Sequence, residues 1–434
     1  MSQADTLIVS WLKAHAVPLT TLDPQAPLDD LAPFVDMVGA ATLVGLGEAS
    51  HGAHECLVVK HRLLRLLVER LGFSLLAVEM DWMSASRINE YVLNGVGEAR
   101  ALLKQNGYWF HNTREMLGLI EWLRVYNADP QHQKVRFAGF DAIGVERASL
   151  ERIVEYVRQV DNARAAKVAQ LYQSMAGVSI RRLPAPPVRH QLYDAAHQVS
   201  MLLTEQAHTY VARSSPSAFA AILQEARIVE QATCRLLYAD TARSSPEFQT
   251  MAQVREQGMT ENVCWLHEQA EGGEKIALWA HNWHIGTWGV WHLGPDKDQL
   301  PFRWMGIELR QRYHEHYVAV GFSFVHGQHN AIAIDQEGRW LAHPRPPFHL
   351  APARDRETYH VMFAEAGQQY LLDLRAPAGE AVRTWLAGPH PFRVLNDTQS
   401  NESDFHQAPL LQWFDVLIHI EQISPSHLLP KGPA

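Results

Sequence analysis

The chain has 434 residues, of which 47% are hydrophobic, and its formal charge is −9. This length allows a large core or two lobes. Lys and Arg are mixed with Asp and Glu along the chain, so the composition disfavours nucleic-acid binding and predicts a small-molecule partner. No stretch offers the roughly 18 uninterrupted apolar residues that a membrane helix needs, and residues 1–20 do not resemble a signal peptide.

The three cysteines are widely spaced and form no CxxC pair. This pattern is typical of a reducing compartment and excludes a cysteine-based zinc cluster. We therefore expect a globular cytoplasmic protein without membrane association.

Strand-like runs alternate with helical segments along most of the chain. This alternation predicts an α/β fold with a mostly parallel central sheet flanked by helices. The predicted strands are 41–47, 73–79, 134–140, 275–279, 317–324 and 414–421.

The same patterns predict the domain organisation. Residues 30–145 form the first part of the α/β core. Between 146 and 271 the strand signal stops and long helical patterns predict an inserted all-helical lobe. Residues 272–335 return to the core, and 336–412, which are rich in Pro, Arg and His, are expected to form long loops and a covering segment, with a long ordered loop at 340–352. Residues 413–434 form the final core strand and a tail.

Ionisable side chains follow several of the predicted strands at their carboxyl ends. Because these ends share one edge of a parallel sheet, we expect the side chains to converge in a crevice there. They are Glu48 and His51, then Glu79, Asp141, and finally His281 and His284.

Such a set of groups can activate water for hydrolysis without a covalent nucleophile. His51 is the expected general base, because a neutral imidazole accepts a proton at physiological pH and a carboxylate bonded to its other ring nitrogen fixes its tautomer. Of His281 and His284, one is expected to stabilise the oxyanion and the other to protonate the leaving group.

Other interpretations of these residues are weaker. Gly45-x-Gly47 lacks the third glycine of a dinucleotide fingerprint, because Ser50 takes its place. No Gly-x-Ser-x-Gly elbow is present, and Ser50 is expected to cap a helix whose first turn begins near it. Single histidines are expected to be solvated at the surface; they are His54, His61, His314 and His316.

A metal centre is the main alternative for the same residues. Zinc, manganese or iron accepts His51, His281 and His284 together with a carboxylate as ligands. The sequence lacks the compact HExxH pair of many zinc enzymes. We therefore predict no metal and no cofactor.

Several motifs are similar to those of a known family: Gly47-Glu48-Ala49-Ser50-His51-Gly52, the strand ending in Glu79, Trp109 with Glu115, Gly139-Phe140-Asp141, and Ala280-His281-Asn282-Trp283-His284. With them the chain resembles the erythromycin esterase family, whose members are also described as succinoglycan biosynthesis proteins.

This resemblance implies an esterase that opens the lactone ring of 14-membered macrolides by metal-independent attack of water, and so confers macrolide resistance. It implies His51 as the general base, supported by Glu48 and Glu79, and His281 and His284 as the second histidine pair. The expected substrate-binding residues are Lys60, which takes the place of a family arginine, and Arg62, Glu55, Trp109 and Asp141. A different ester or lactone substrate, or a metal- or ligand-binding protein on the same scaffold, are the alternatives.

Overall fold

The computed structural model describes residues 2–106, 108–180, 182–239, 245–270, 273–292, 299–333, 347–350, 359–395 and 405–430, with the backbone alone at 290–292 and 299–301. The strands in this part of the chain are β1 Val17–Pro18, β2 Leu43–Leu46, β3 Phe73–Asp81, β4 Arg136–Asp141, β5 Lys275–Trp279, β6 Val290–His292, β7 Gln299–Pro301, β8 Tyr317–Asn330, β9 Pro347–Leu350, β10 Gln369–Asp373, β11 His390–Arg393, β12 Phe405–Ala408 and β13 Val416–Ile423.

The α-helices in the same ranges are α1 Gln3–His15, α2 Ala32–Val38, α3 His54–Leu71, α4 Trp82–Asn94, α5 Ala99–Gln105, α6 Arg114–Ala128, α7 Arg147–Val160, α8 Asn162–Tyr172, α9 Pro186–Glu205, α10 Ala207–Arg213, α11 Pro216–Leu237, α12 Pro246–Glu268, α13 Asn282–Ile285, α14 Met305–Tyr313, α15 Tyr359–Ala364, α16 Glu380–Ala387 and α17 Leu410–Trp413.

The central sheet has the strand order β1-β10-β13-β8-β2-β5-β3-β4, with β9 paired to β8. The neighbours from β13 through β8, β2 and β5 to β3 run parallel. Strands β1, β10 and β9 pair antiparallel. Every residue of β2 is buried, as expected for a strand with parallel neighbours on both sides. The predicted α/β fold with a mostly parallel sheet is therefore confirmed.

The prediction of long loops over 336–412 is wrong for much of the described part. Strand β10 joins the central sheet and β9 pairs with β8, and the described residues there also form α15, α16, β11, β12 and most of α17. Of the predicted loop at 340–352, only 347–350 lies within the described residues, and it is a strand. Short strands such as β10 carry too few residues for a reliable period-2 signal.

The chain divides into two compact units. The first comprises Met1–Glu79, Ala85–Ala138 and Val263–Ala434, and the second comprises Met80–Ser84 and Gly139–Asn262. The second unit is built around its own apolar core from helices α7 to α11. Helix α11 begins as its Ser-Pro sequence predicts, because the Ser215 hydroxyl accepts a hydrogen bond from the Ala218 N–H.

Candidate active site

The turn that follows β2 carries Glu48 and His51, and it is tied to neighbouring strands. The Gly47 N–H donates to the Val320 carbonyl at 2.8 Å, and the Asn282 N–H donates to the Glu48 carbonyl at 3.0 Å. A Cβ atom at Gly47 would lie 2.3 Å from Asn282 Oδ1. Only glycine allows this close approach, so the turn is held in one position.

The predicted helix start and cap at Ser50 are wrong. Helix α3 begins at His54, after an N-cap residue, Ala53, that makes no side-chain cap. The Ser50 hydroxyl instead accepts the Gly52 N–H and lies 2.9 Å from His329 Nδ1. The side chain therefore stabilises the turn itself, and His51 precedes the helix.

Glu48 links His51 to a buried lysine. Glu48 Oε1 lies 2.5 Å from His51 Nδ1, and Oε2 lies 2.6 Å from Lys60 Nζ. Burial would raise the pKa of Glu48, but the Lys60 charge and the His51 hydrogen bond outweigh it and lower this pKa to about 2. An ionised Glu48 accepts the Nδ1–H of His51, so the lone pair of a neutral ring is on Nε2.

The His51 ring stacks on Phe110, with centroids 4.0 Å apart and planes 6° apart. The next residue, His111, is buried, and burial lowers its pKa to about 3. The Asn106 amide contacts His111 Nδ1 at 3.1 Å. Sequence analysis selected the neighbouring Trp109 and missed Phe110 and His111. Their position next to that tryptophan is the signal that could have found them.

Glu79 holds the second histidine pair through both of its oxygens. Oε2 accepts the backbone N–H of His281 at 3.0 Å, and Oε1 lies 3.1 Å from His284 Nε2. All three side chains are buried. Glu79 therefore fixes the turn after β5 and the orientation of the His284 ring.

The His281 ring is held by backbone groups on both nitrogens. Nε2 lies 2.7 Å from the Leu395 carbonyl, and the Trp283 N–H donates to Nδ1 at 3.4 Å. Burial lowers the His281 pKa to about 3, so the ring is a neutral Nε2–H tautomer. Its centroid lies 4.8 Å from that of His51, which joins the two groups into one cluster. Sequence analysis missed Leu395, which acts through its carbonyl and so leaves no side-chain signal.

Besides Lys60, which contacts Glu48, two further residues predicted to bind substrate have structural partners in the first unit. Arg62 forms a two-pronged ion pair with Asp30, at 3.0 and 2.7 Å. Glu55 accepts the N–H and hydroxyl of Ser424 at 2.7 and 2.6 Å. Their contact with substrate stays a prediction, and these contacts do not support it.

Asp141 lies in the second unit, where it is fully buried. Its carboxylate contacts Arg235 at 3.2 Å and Arg255 at 2.8 Å. It also accepts the Ala142 N–H at 2.8 Å, which agrees with a role in the following turn. Substrate binding by Asp141 stays a prediction.

The expected surface histidines differ from one another. His314 and His316 are exposed as predicted, but His61 is buried, and burial lowers its pKa to about 3. His54 is partly exposed and contacts Glu115. The prediction of a solvated His61 is wrong because helix α3 is covered on nearly all sides.

Comparison with known proteins gives this cluster a family context. The family model of erythromycin esterase matches residues 68–423, which is most of the chain. The chain belongs to the erythromycin esterase family. The match includes Glu79, His281 and His284, whereas Glu48, His51 and Lys60 precede it.

Erythromycin esterase type II of Escherichia coli is 24% identical to this chain over 338 residues, which cover 74% of this chain and 78% of that protein. A Bacillus cereus protein of known crystal structure is 31% identical, with a TM-score of 0.85, and the match covers 98% of this chain and 99% of that one. A succinoglycan biosynthesis protein is 26% identical, with a TM-score of 0.80, over 99% and 100% of the two chains.

Membership in the erythromycin esterase family supports a hydrolase of the ester-cleaving type. In the described residues, no helix is both long and apolar enough to cross a lipid bilayer.

Proposed function

We propose that this protein opens the lactone ring of 14-membered macrolides by adding water to the ester. The observation that carries the proposal is the buried series of contacts from Lys60 through Glu48 to His51. It leaves Nε2 of a neutral His51 ring as the atom that can accept a proton. Family membership and the similarity to erythromycin esterase type II support this substrate class.

In the proposed reaction, His51 Nε2 takes a proton from a water molecule as its oxygen attacks the ester carbonyl carbon. The negative Glu48 stabilises the imidazolium that forms, and Lys60 keeps Glu48 ionised. The ring C–O bond then breaks, and the proton held by His51 passes to the leaving alkoxide, directly or by way of a second acid, so that His51 is neutral again. The product is a ring-opened hydroxy acid that has gained one water.

A second residue must stabilise the oxyanion or protonate the leaving oxygen. We assign this role to His284, whose Nε2 contacts Glu79 at 3.1 Å; donation to the substrate then requires a proton on Nδ1 as well. His281 is less suitable, because backbone groups contact both of its ring nitrogens. His281 is then a positioning residue between the His51 turn and residue 395.

The first experiment is mass spectrometry of erythromycin incubated with the purified protein, with and without a chelator. We expect a mass gain of one water in both samples. The His51→Ala variant should lose at least about 100-fold in rate, since a positioned general base contributes 10²–10⁴-fold. His132→Ala, at an exposed site, is the control and should retain full activity.

Unchanged erythromycin with rapid cleavage of simpler esters would reject the macrolide substrate and keep the esterase. Full activity of a folded His51→Ala variant would reject the mechanism. Loss of activity with the chelator would reject metal independence. If the protein does cleave macrolides, its expression in a sensitive bacterium should raise the erythromycin concentration needed to stop growth.

A further inference from the structure

A second cluster of ionisable side chains lies at the amino-terminal ends of two helices. His54 is the first residue of α3, Glu115 is in the first turn of α6, and His427 follows β13. One ligand atom from each residue, an imidazole nitrogen or a carboxylate oxygen, lies within 4.8 Å of the other two. None of the three is used by the proposed hydrolytic reaction.

One carboxylate oxygen lies between two imidazole nitrogens in this cluster. Glu115 Oε1 is 2.6 Å from His54 Nδ1 and 2.7 Å from His427 Nδ1. The two rings are nearly perpendicular, at 86°, with centroids 4.9 Å apart. Both Nδ1 atoms are therefore directed at the same carboxylate oxygen.

The carboxylate is held in place by the backbone. Glu115 is almost fully buried, and the His427 N–H contacts both of its oxygens, at 3.0 and 3.2 Å. The segment that carries His427 is anchored by a hydrogen bond from the Arg114 N–H to the His427 carbonyl at 2.8 Å. A ligand fixed in this way loses little conformational entropy when it binds an ion.

We propose that His54, Glu115 and His427 form a binding site for one divalent transition-metal ion, with zinc as the best match. Two imidazoles and one carboxylate are ligands that zinc prefers. Side-chain exposures of 31% for His54 and 56% for His427 leave room for water as a further ligand. The proposal does not depend on esterase activity.

Metal binding requires the two rings to move. Ligand bonds of about 2.0–2.1 Å in a tetrahedral site place the donor atoms ~3.3 Å apart. The nitrogen–oxygen distances of 2.6 and 2.7 Å must therefore open by about 0.6–0.7 Å, and the two Nδ1 atoms, now within 4.8 Å of each other, must take up the same spacing. The exposed His427 ring can move by this amount, and the ion would replace the two Nδ1 protons that now occupy the space.

The test is isothermal titration of the full-length protein with Zn²⁺ at neutral pH, after dialysis against a chelator and then metal-free buffer. We expect one equivalent to bind, and His427→Ala to weaken this binding at least tenfold. His132→Ala is the matched control, because its ring is also exposed and near a carboxylate, Asp129, at 3.9 Å. Visible absorption of the Co²⁺-loaded protein should show imidazole ligation that His427→Ala removes.

Absence of stoichiometric Zn²⁺ binding, or equal binding by the wild type and the His427→Ala variant, would overturn the proposal. So would loss of binding in His51→Ala, because it would place the ion at the other histidine cluster. Melting temperature gives a separate readout: Zn²⁺ should raise it in the wild type and in His51→Ala but not in His427→Ala. Each result can be read whether or not the protein cleaves macrolides.

Discussion

At the scale of single residues, the ionisation of Glu48 depends on the side chain of Lys60. This side chain is fully buried, contacts Glu48 at 2.6 Å and lies 4.2 Å from the centroid of the Trp279 ring. Lys60→Met would leave the Glu48 carboxylate buried without its cation, which costs about 3–5 kcal/mol of unfolding free energy. Chemical denaturation of the variant measures this loss.

The same variant should change the pH dependence of activity. With Lys60 present, the pKa of Glu48 is lowered to about 2, so Glu48 stays ionised far below neutral pH. Without the lysine this pKa rises, and the acid limb of the pH–rate profile should shift to higher pH. Lys104→Met, at an exposed position, should change neither property; an unmoved acid limb in a folded Lys60→Met variant would contradict this role of the lysine.

At the scale of elements, the Asn282 side chain connects the His51 turn to strand β8. Its amide donates to the Phe322 carbonyl at 2.8 Å and accepts the Phe322 N–H at 3.1 Å. Asn282→Ala leaves both groups buried without these partners, at about 1–3 kcal/mol each. We expect the free energy of unfolding to fall by about 2–5 kcal/mol, measured by urea denaturation.

Asn94→Ala is the control for this prediction, since Asn94 is exposed and its amide donates to Glu90 in the same helix. It should change stability by less than about 0.5 kcal/mol. Equal stability of the two variants would show that Asn282 does not support the turn.

Helix α3 shows which features of the site the sequence predicts and which it does not. Glu48 and His51 were predictable, because polar groups after a buried strand converge at one sheet edge. The polar triplet Lys60-His61-Arg62 in the middle of α3 was predicted differently, with Lys60 and Arg62 binding substrate and His61 solvated at the surface. In the structure each member has an internal partner: Lys60 contacts Glu48, Arg62 contacts Asp30, and His61 packs near Trp122.

The errors elsewhere have the same origin, since each missed contact joins residues far apart in sequence. Strand β10 pairs antiparallel with β13, and neither its short run nor its loop-like surroundings indicated this partner. Leu395 contacts His281 through a main-chain atom, which any residue type provides. Local patterns therefore predicted six strands, but neither the remaining strands nor the residues that cover the sheet. The six are β2, β3, β4, β5, β8 and β13.

At the scale of the whole molecule, buried histidines should make the protein sensitive to mild acid. Burial lowers the pKa of five of them to about 3 or 4, far below the value of about 6.5 in an unfolded chain. The five are His61, His111, His281, His329 and His419. Below about pH 6.5 the unfolded state binds more protons than the folded state. The free energy of unfolding therefore falls as the pH falls.

Urea unfolding between about pH 7 and pH 5 tests this expectation, with a slope of up to about 1.4 kcal/mol per pH unit for each histidine. His54 opposes the trend, because its hydrogen bond to Glu115 raises its pKa. His61→Leu should lower this slope by up to about 1.4 kcal/mol per pH unit, which is the contribution of one proton. His132→Leu should not, and a pH-independent stability of the wild type would contradict the whole account.

The turn that carries His51 is held by residues that are remote in sequence. Backbone groups of Asn282, Asn330, Leu395 and Ser426 bond to it, and the Ser424 carbonyl bonds to the first helical residue after it. A ribosome adds these residues long after it has made residue 51. A nascent or prematurely terminated chain therefore has His51 without these contacts, so we expect hydrolytic activity to appear only when synthesis has passed residue 426.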